Sequence, residues 1–260
     1  MLGDDVFARG ALERLTHRLV LRRRLPAPFN AARIYMSSEG GLKYLRPRLG
    51  EIDPALLSLV TEIIRPGDVI WDIGANLGLF TFSAAVAAGP EGYVLAIEPD
   101  ALLVGMLRRS AAANHGEATV EVLSVAVADN LGIARFEVAR RNRATSHLEG
   151  YGGTQTGGVR ATEIVPTVTL DWLAQRFPLP RVVKIDVEAA EMKVLAGGER
   201  VLDGCPTIIC EVAGCNAEAA GNLFAAHGYT VYDGGQPAVR RVPLTVAPWM
   251  TLAINGKDAR

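Results

Sequence analysis

Between Leu56 and Asp233 one pattern recurs: a short apolar run, then a stretch with helical spacing. The runs are VIWDIGA, VLAIEP, VEVLSVAV, RVVKIDV, TIICEV and YTVYD. Apolar strands alternating with helix-length segments predict parallel strands joined by crossover helices, an α/β doubly wound fold. Two helices are legible in detail. Leu79 to Ala88 is alanine-rich and meets Gly89 and Pro90, a combination that stops a helix. Asp100 to Asn114 carries a second helical pattern behind Pro99, a residue favoured near helix starts. Tyr229 to Asp233 and Thr251 to Asn255 read as late strands forming an antiparallel edge.

In an open parallel sheet, ligands bind beyond the carboxyl ends of the strands. The first strand ends in WDIGANLG, which puts Asp72, Gly74, Ala75, Asn76 and Gly78 there. Glycine lets the backbone approach a ligand without a side chain intervening, and the helix N-terminus that follows favours negative charge. Glu98, followed by Pro99, closes the second strand twenty residues after Gly78. From that position an acid accepts hydrogen bonds from both hydroxyls of a ribose, so an adenosine-type ligand is expected. The nicotinamide fingerprint GxGxxG needs three glycines. This turn offers Gly74 and Gly78, separated by Ala75, Asn76 and Leu77.

A third strand end is KIDVEAAE, with Asp186, Glu188 and Glu191 within six residues. Carboxylates so close repel one another and lose hydration unless a cation, a proton or a helix terminus offsets the cost. Lys184 reads equally well as that buried cation or as an edge residue. Glu191 lies in the first turn of the next helix, where the macrodipole favours an acid, and reads as structural.

The turn DxGxNxG resembles the first motif of the S-adenosylmethionine-dependent methyltransferases. After Glu98 and the SVAVAD run come VPTVTLDWL, VVKIDVEAAEMKVLAGGERVL and CPTIICEV. Together they resemble the linked signature of the FkbM-type methyltransferases over roughly residues 56 to 212. The resemblance implies a mostly parallel seven-stranded sheet of the class I methyltransferase (Rossmann-like) type. It also implies S-adenosylmethionine as cofactor and methyl transfer to a hydroxyl of a sugar, glycan or secondary metabolite. Carried over by position, Asp72, Gly74, Asn76 and Gly78, with Ala75 among them, surround the methionine part of the cofactor. Glu98, beside Pro99, meets the ribose, Ala126 and its neighbours the adenine, and Asp186 faces the sulfonium.

Transfer to an alcohol requires an aligned hydroxyl and a group that takes its proton. Asp186 is the first candidate base and Glu188 its helper. If Asp186, Glu188 and Glu211 instead gather around Mg²⁺, the metal would acidify and orient the hydroxyl; the sequence leaves the metal undecided. Where the family pattern has glycine after VE, this chain has Ala189. Alanine there costs on the order of 1 kcal/mol if the residue needs positive φ, and nothing in ordinary helix.

Two segments fall outside the resemblance. Residues 1 to 50 hold ten Lys and Arg against four acids, in a chain whose net charge is -1. Ala8, Ala11, Leu12, Leu15 and Leu19 recur there at helical spacing. The expectation is an N-terminal helical extension over residues 1 to 50 that shapes the acceptor site or an oligomer contact, with the methyltransferase domain over 51 to 260. The second segment, RRNRATSHLEGYGGTQTGGVRATE, follows a hairpin-like arm at Arg135 to Ala139 and has no apolar period, so it reads as a long surface loop. On it, His147 is a candidate base or acceptor contact, and Arg140, Arg141 and Arg143 are candidate clamps for an anionic acceptor. Further on, Asp171 is placed to cap a short helix over Trp172 to Phe177.

Near-neutral charge argues against nucleic acid, and the lack of any apolar run near eighteen residues argues against a transmembrane segment. A small-molecule acceptor remains, with self-association left open. Cys205, Cys210 and Cys215 lie five apart, a spacing that matches no paired metal site; they read as reduced thiols of a cytoplasmic protein. The rival classes are a nicotinamide-dependent oxidoreductase on a related fold and a non-catalytic cofactor-binding module.

Overall fold

The computed structural model describes residues 19–140, 142–152, 158–204 and 207–256. It opens with an antiparallel hairpin of β1 (Leu21–Arg24) and β2 (Arg33–Met36). β2 turns Ile34 and Met36 into the core and is tied to the helix Ala101–Ala113 and its cap: Tyr35 N–H donates to Ser110 Oγ and Arg33 N–H to Asn114 Oδ1, each at 2.8 Å. Three short 3₁₀ turns follow, Ser38–Gly40, Leu42–Leu45 and Leu49–Glu51.

This corrects the expected helical extension. The helix read over Ala8 to Leu19 lies, but for Leu19 itself, outside the described residues, and residues 19 to 50 form a hairpin and turns. Arginines of the hairpin are held by nearby groups. Arg23 donates to the carbonyls of Tyr44, Arg46 and Pro47, while Arg22 and Arg109 lie over the Tyr35 ring.

Along the chain come β3 (Val69–Ile73), β4 (Tyr93–Ile97) and β5 (Thr119–Leu123). Then β6 (Ala126–Val127), β7 (Gly132–Ala139), β8 (His147–Leu148) and β9 (Val159–Val168) form a separate four-stranded sheet in the order β6-β9-β7-β8. The chain returns to the first sheet with β10 (Val182–Ile185), β11 (Thr207–Glu211), β12 (Tyr229–Asp233) and β13 (Met250–Asn255). The large sheet runs β12-β13-β11-β10-β3-β4-β5. It is parallel except for β13, which pairs antiparallel with both β11 and β12. The seven strands and the antiparallel edge are as the sequence predicts.

Strand order reverses beside β3, since β4 lies on one side of it and β10 on the other. That switch point opens the crevice in which ligands of doubly wound sheets bind. Two apolar cores flank the sheet. One gathers Ile34, Met36, Leu59 and Phe82 with Ile70 and Val94, so the β1–β2 hairpin shares a core with the sheet. The other gathers Trp71, Leu95, Val183 and Ile208 with Val194 and Phe224. Because both faces are covered, the central strands read as continuous apolar runs rather than alternating ones. The helix Leu79–Ala88 has the expected bounds, and Asp100 caps Ala101–Ala113 by accepting from the N–H groups of Leu102 and Leu103.

The long surface loop is also corrected. β9 pairs antiparallel with the whole of β7, and only the stretch from Arg140 to Gly158 connects them. The first half of β9 is solvent-exposed, so its ordering comes from backbone pairing and leaves no apolar signal in the sequence. Asp171 is placed differently as well. Thr169 caps the helix Leu170–Leu173, while the Asp171 carboxylate accepts from the N–H groups of Arg200 and Val201 at the start of the next helix.

Candidate active site

The end of β3 turns at Gly74 with φ 79°. A Cβ there would collide with the backbone carbonyl of Asp186, so glycine is required for close approach as well as for conformation. The N–H groups of Gly74 and Ala75 both donate to Ile97 O, at 2.9 and 3.0 Å, which draws the ends of β3 and β4 together. Asn76 is left-handed at φ 51°, a conformation asparagine tolerates better than most residues. Its N–H donates to Glu98 Oε2 at 2.9 Å, and Asp100 N–H donates to Glu98 Oε1 at 2.9 Å. Burial pushes the Glu98 carboxyl up to about 7, against the pull of those two N–H groups. The side-chain oxygen of Asn76, Oδ1, is buried and has no hydrogen-bond partner.

The crowded acids after β10 have their cation in Lys184. Its side chain is 6 % exposed, and its ammonium donates to Gly74 O at 3.1 Å and to Asp186 Oδ2 at 3.2 Å, and lies 3.4 Å from Asp72 Oδ1. Burial alone would drag the Lys184 ammonium down, but Asp186 and Asp72 outweigh it and hold it above its ordinary value. Asp72 does not line any opening: it is fully buried and accepts from the Thr81 hydroxyl at 2.5 Å. Glu191 braces the turn. It accepts from Ala189 N–H at 2.9 Å and from Asn216 Nδ2 at 2.7 Å. Glu188 and Ala189 both have positive φ, 49° and 70°, so the chain places alanine in a backbone conformation that costs it energy.

Glu188 stands apart from this pairing. Burial, then Asp186 and Glu191, push its carboxyl up to about 7. Glu211, at the end of β11, is likewise raised by burial and by Asp186.

The β7–β9 sheet roofs the crevice, leaving a cleft of about 620 Å³. Gly74, Asn76, Glu98, Pro99, Ala126, Asp186, Glu188 and His147 all line it. Asp72, Ala75 and Gly78, expected at the ligand, sit behind the wall: Asp72 under the turn with Lys184, and Gly78 where a Cβ would meet the Phe82 and Leu107 side chains. Sequence reasoning missed the roof itself, to which Phe136, Ser146 and Leu148 contribute. Arg143 also faces the cleft, but as a latch and not as an anion clamp. It donates to Glu39 at 3.0 Å and Asp100 at 2.6 Å, tying the turn after β2 to the roof. His147 Nδ1 lies 3.0 Å from Thr145 O and Nε2 3.2 Å from Glu137 Oε2. Arg141 lies outside the described residues.

A second cleft of about 840 Å³ opens beside the first, lined by Glu191, Glu211, Thr145 and Trp249 among others. Asp186 and Glu188 line both clefts. Among the described residues, no group of three or more His, Cys, Asp or Glu side chains is arranged to hold a metal ion. Nor is any helix long and apolar enough to cross a membrane.

A switch-point crevice with a glycine turn, an acid at the second strand end and a roofed cleft is the architecture of a nucleotide-type cofactor enzyme. The model of the methyltransferase FkbM domain matches residues 72–229, and the chain belongs to that family. It is therefore an S-adenosylmethionine-dependent methyltransferase rather than an oxidoreductase or a non-catalytic module. Hexuronic acid methyltransferase AglP of Haloferax volcanii is 27% identical over 184 residues, 70% of each chain. The 31-O-demethyl-FK506 methyltransferase FkbM of Streptomyces tacrolimicus is 29% identical over 208 residues, 67% of this chain and 77% of its own. Precorrin-6y C5,15-methyltransferase of Geobacter metallireducens GS-15 superposes over 82% of this chain and 91% of its own, with TM-score 0.46 and 15% identity.

The residues present suit the cofactor. Asn76 Oδ1 is a buried acceptor without a donor, and Glu98 has acceptor capacity at the strand end.

Proposed function

We propose that this methyltransferase alkylates a hydroxyl oxygen of a sugar, glycan or secondary metabolite, with the cofactor in the 620 Å³ cleft and the acceptor in the 840 Å³ cleft. The observation that supports this reading is the shared wall: Asp186 and Glu188 line both spaces. When bound, S-adenosylmethionine supplies an electrophilic methyl group on a positively charged sulfur. Asn76 Oδ1 would accept from the cofactor's ammonium and Glu98 from its ribose hydroxyls, and Ala126 would flank its adenine.

Glu188 is the proton acceptor in this reading. A base works best with a pKa near the operating pH, and burial brings Glu188 to about 7. Asp186, bonded to Lys184, orients the hydroxyl. His147 serves as a clasp on the roof, because both its ring nitrogens face oxygen acceptors, Thr145 O and Glu137 Oε2. No step is assigned to Mg²⁺, whose ligand set the described acids do not form.

Two relatives support the acceptor class by their names, one acting on a hexuronic acid and the other on 31-O-demethyl-FK506. An acidic cleft also disfavours a polyanion such as nucleic acid. The free thiols Cys210 and Cys215 fit a cytoplasmic location. The test is product analysis by NMR after incubation with S-adenosylmethionine and a panel of hydroxylated glycosides and polyketides. The expected product is a methyl ether, formed far more slowly by Glu188→Gln. A methyl group found on nitrogen or carbon would overturn the reading.

A further inference from the structure

The larger cleft has one wall that neither proton transfer nor cofactor binding explains. Trp249 is 59% exposed, yet its backbone is fixed: Trp249 O accepts from Val212 N–H at 2.8 Å, and the β11–β13 register sets Glu211 opposite Met250. The ladder thus holds an open indole next to Glu211 on the rim of the cleft. A large aromatic surface left in water on a rigid scaffold gains by being covered. Across the cleft stand Asp186, Glu188 and Glu191.

Among the described residues no Lys, Arg or His lines this space. Lys184 lies beneath the turn, bonded to Asp186 and Gly74, and Lys43 acts on Glu188 and Glu211 from outside the lining. Burial raises the Glu188 carboxyl to about 7 and the Glu211 carboxyl to about 8, so above that pH a carboxylate or phosphate entering here meets ionised acids and no free cation in the lining, and like-charge juxtaposition of this kind excludes a partner more effectively than attraction selects one. A ring with hydroxyls at its edge and C–H bonds on its face would be served twice: the acids accept its hydroxyl protons, and the indole covers its apolar face.

We propose that the acceptor is an uncharged, polyhydroxylated ring that stacks on Trp249, and that Glu211 with the neighbouring acids excludes uronate and phosphorylated rings. This inference rests on reading the larger cleft as the acceptor site. It separates this chain from its relative that acts on a hexuronic acid, because the lining has no cation to receive such a carboxylate.

The experiment uses the full chain loaded with S-adenosylhomocysteine and titrated, above the pH at which the raised Glu211 carboxyl ionises, with methyl glucopyranoside or methyl glucuronopyranoside. Tryptophan fluorescence and saturation-transfer NMR report binding. Trp71 is buried and Trp172 half-buried, so quenching by a ring in this cleft reports on Trp249. The expected result is saturable binding of the neutral glycoside, weakened about tenfold in Trp249→Ala, and at least tenfold weaker binding of the uronate. In Glu211→Gln the discrimination between the two narrows at least threefold. S-adenosylhomocysteine affinity, read by calorimetry, is unchanged in Trp249→Ala. Binding of neither glycoside, equal binding of both, or neutral binding that ignores Trp249→Ala would each overturn the inference. Failure of the wild-type chain to bind S-adenosylhomocysteine at all would instead strike the underlying assignment of the clefts.

Discussion

Lys184 Nζ lies 3.2 Å from Asp186 Oδ2, and the same ammonium holds Gly74 O at 3.1 Å. One buried cation therefore ties the glycine turn that bounds one cleft to the acid that lines both. Replacing it by Lys184→Met leaves the fully buried Asp72 without its counter-charge and strips Asp186, at the cleft wall, of its partner. Loss of one partner from a buried ion pair costs about 3–5 kcal/mol. Urea unfolding is expected to show a loss of that order, with S-adenosylhomocysteine binding weakened in the folded fraction. A variant as stable as the parent would mean that the acids are solvated in the folded protein.

Asn76 carries a cofactor prediction that can be separated from stability. Its Oδ1 is buried without a donor, while its backbone needs the left-handed region, φ 51°. Glycine accepts that conformation without strain, so Asn76→Gly removes the oxygen and keeps the turn. Losing one hydrogen bond to a charged group corresponds to about tenfold in affinity. Calorimetry should show that loss for S-adenosylhomocysteine, with the melting temperature unchanged or raised. Undiminished affinity would place the cofactor's ammonium elsewhere.

Ala189, at φ 70°, stands where the family pattern has glycine. The left-handed conformation costs an L-residue roughly 1–2 kcal/mol, while glycine gives back part of the difference through its freer unfolded chain. Ala189→Gly is therefore expected to stabilise the protein by about 0.5–1 kcal/mol in denaturant unfolding. The hydrogen bonds from Ala189 N–H to Glu191 and from Asn216 to Ala189 O are made by the backbone and survive the change. A destabilised Ala189→Gly would show that the alanine methyl makes packing contacts that outweigh its strain.

The sequence disclosed the parts of this molecule whose signals are local. The strand ends at Gly74 and Glu98, the helix Leu79–Ala88 and the antiparallel edge each follow from a short run of residue types. What it hid depends on partners distant in the chain. Lys184 read equally as buried or exposed, because its acids lie at Asp72, more than a hundred residues away, and at Asp186. Arg143 looked like an anion clamp until Glu39 and Asp100 appeared beside it. The first half of β9 was invisible because it is exposed and pairs with β7 through the backbone, and residues 19 to 50 hid a hairpin whose strands are only four residues long, one of them LRRR, too short and too charged to announce it. Asp72 and Gly78 were legible as special but not in role: both support the turn from behind rather than line the cleft.

Glu188 joins stability to catalysis through one proton. Its carboxyl stands at about 7 in the folded protein, against about 4.3 when unfolded. Between those values the folded state binds the extra proton, so stability is greatest at the acidic end and falls as pH rises towards 7. Glu98 has the same direction, so Glu188→Gln should flatten only part of that slope. Activity runs the opposite way, because a base must first lose its proton: the rate of methyl transfer should climb with pH through about 7 and level off above it. Glu188→Gln is expected to lower kcat by about 10²–10⁴ and to erase the inflection, while S-adenosylhomocysteine still binds. Were the inflection to persist in Glu188→Gln, the proton would have to go to another group, and Asp186 would be the residue to substitute next. Loss of the inflection together with part of the stability slope in one conservative variant is the signature that a structural role alone does not produce.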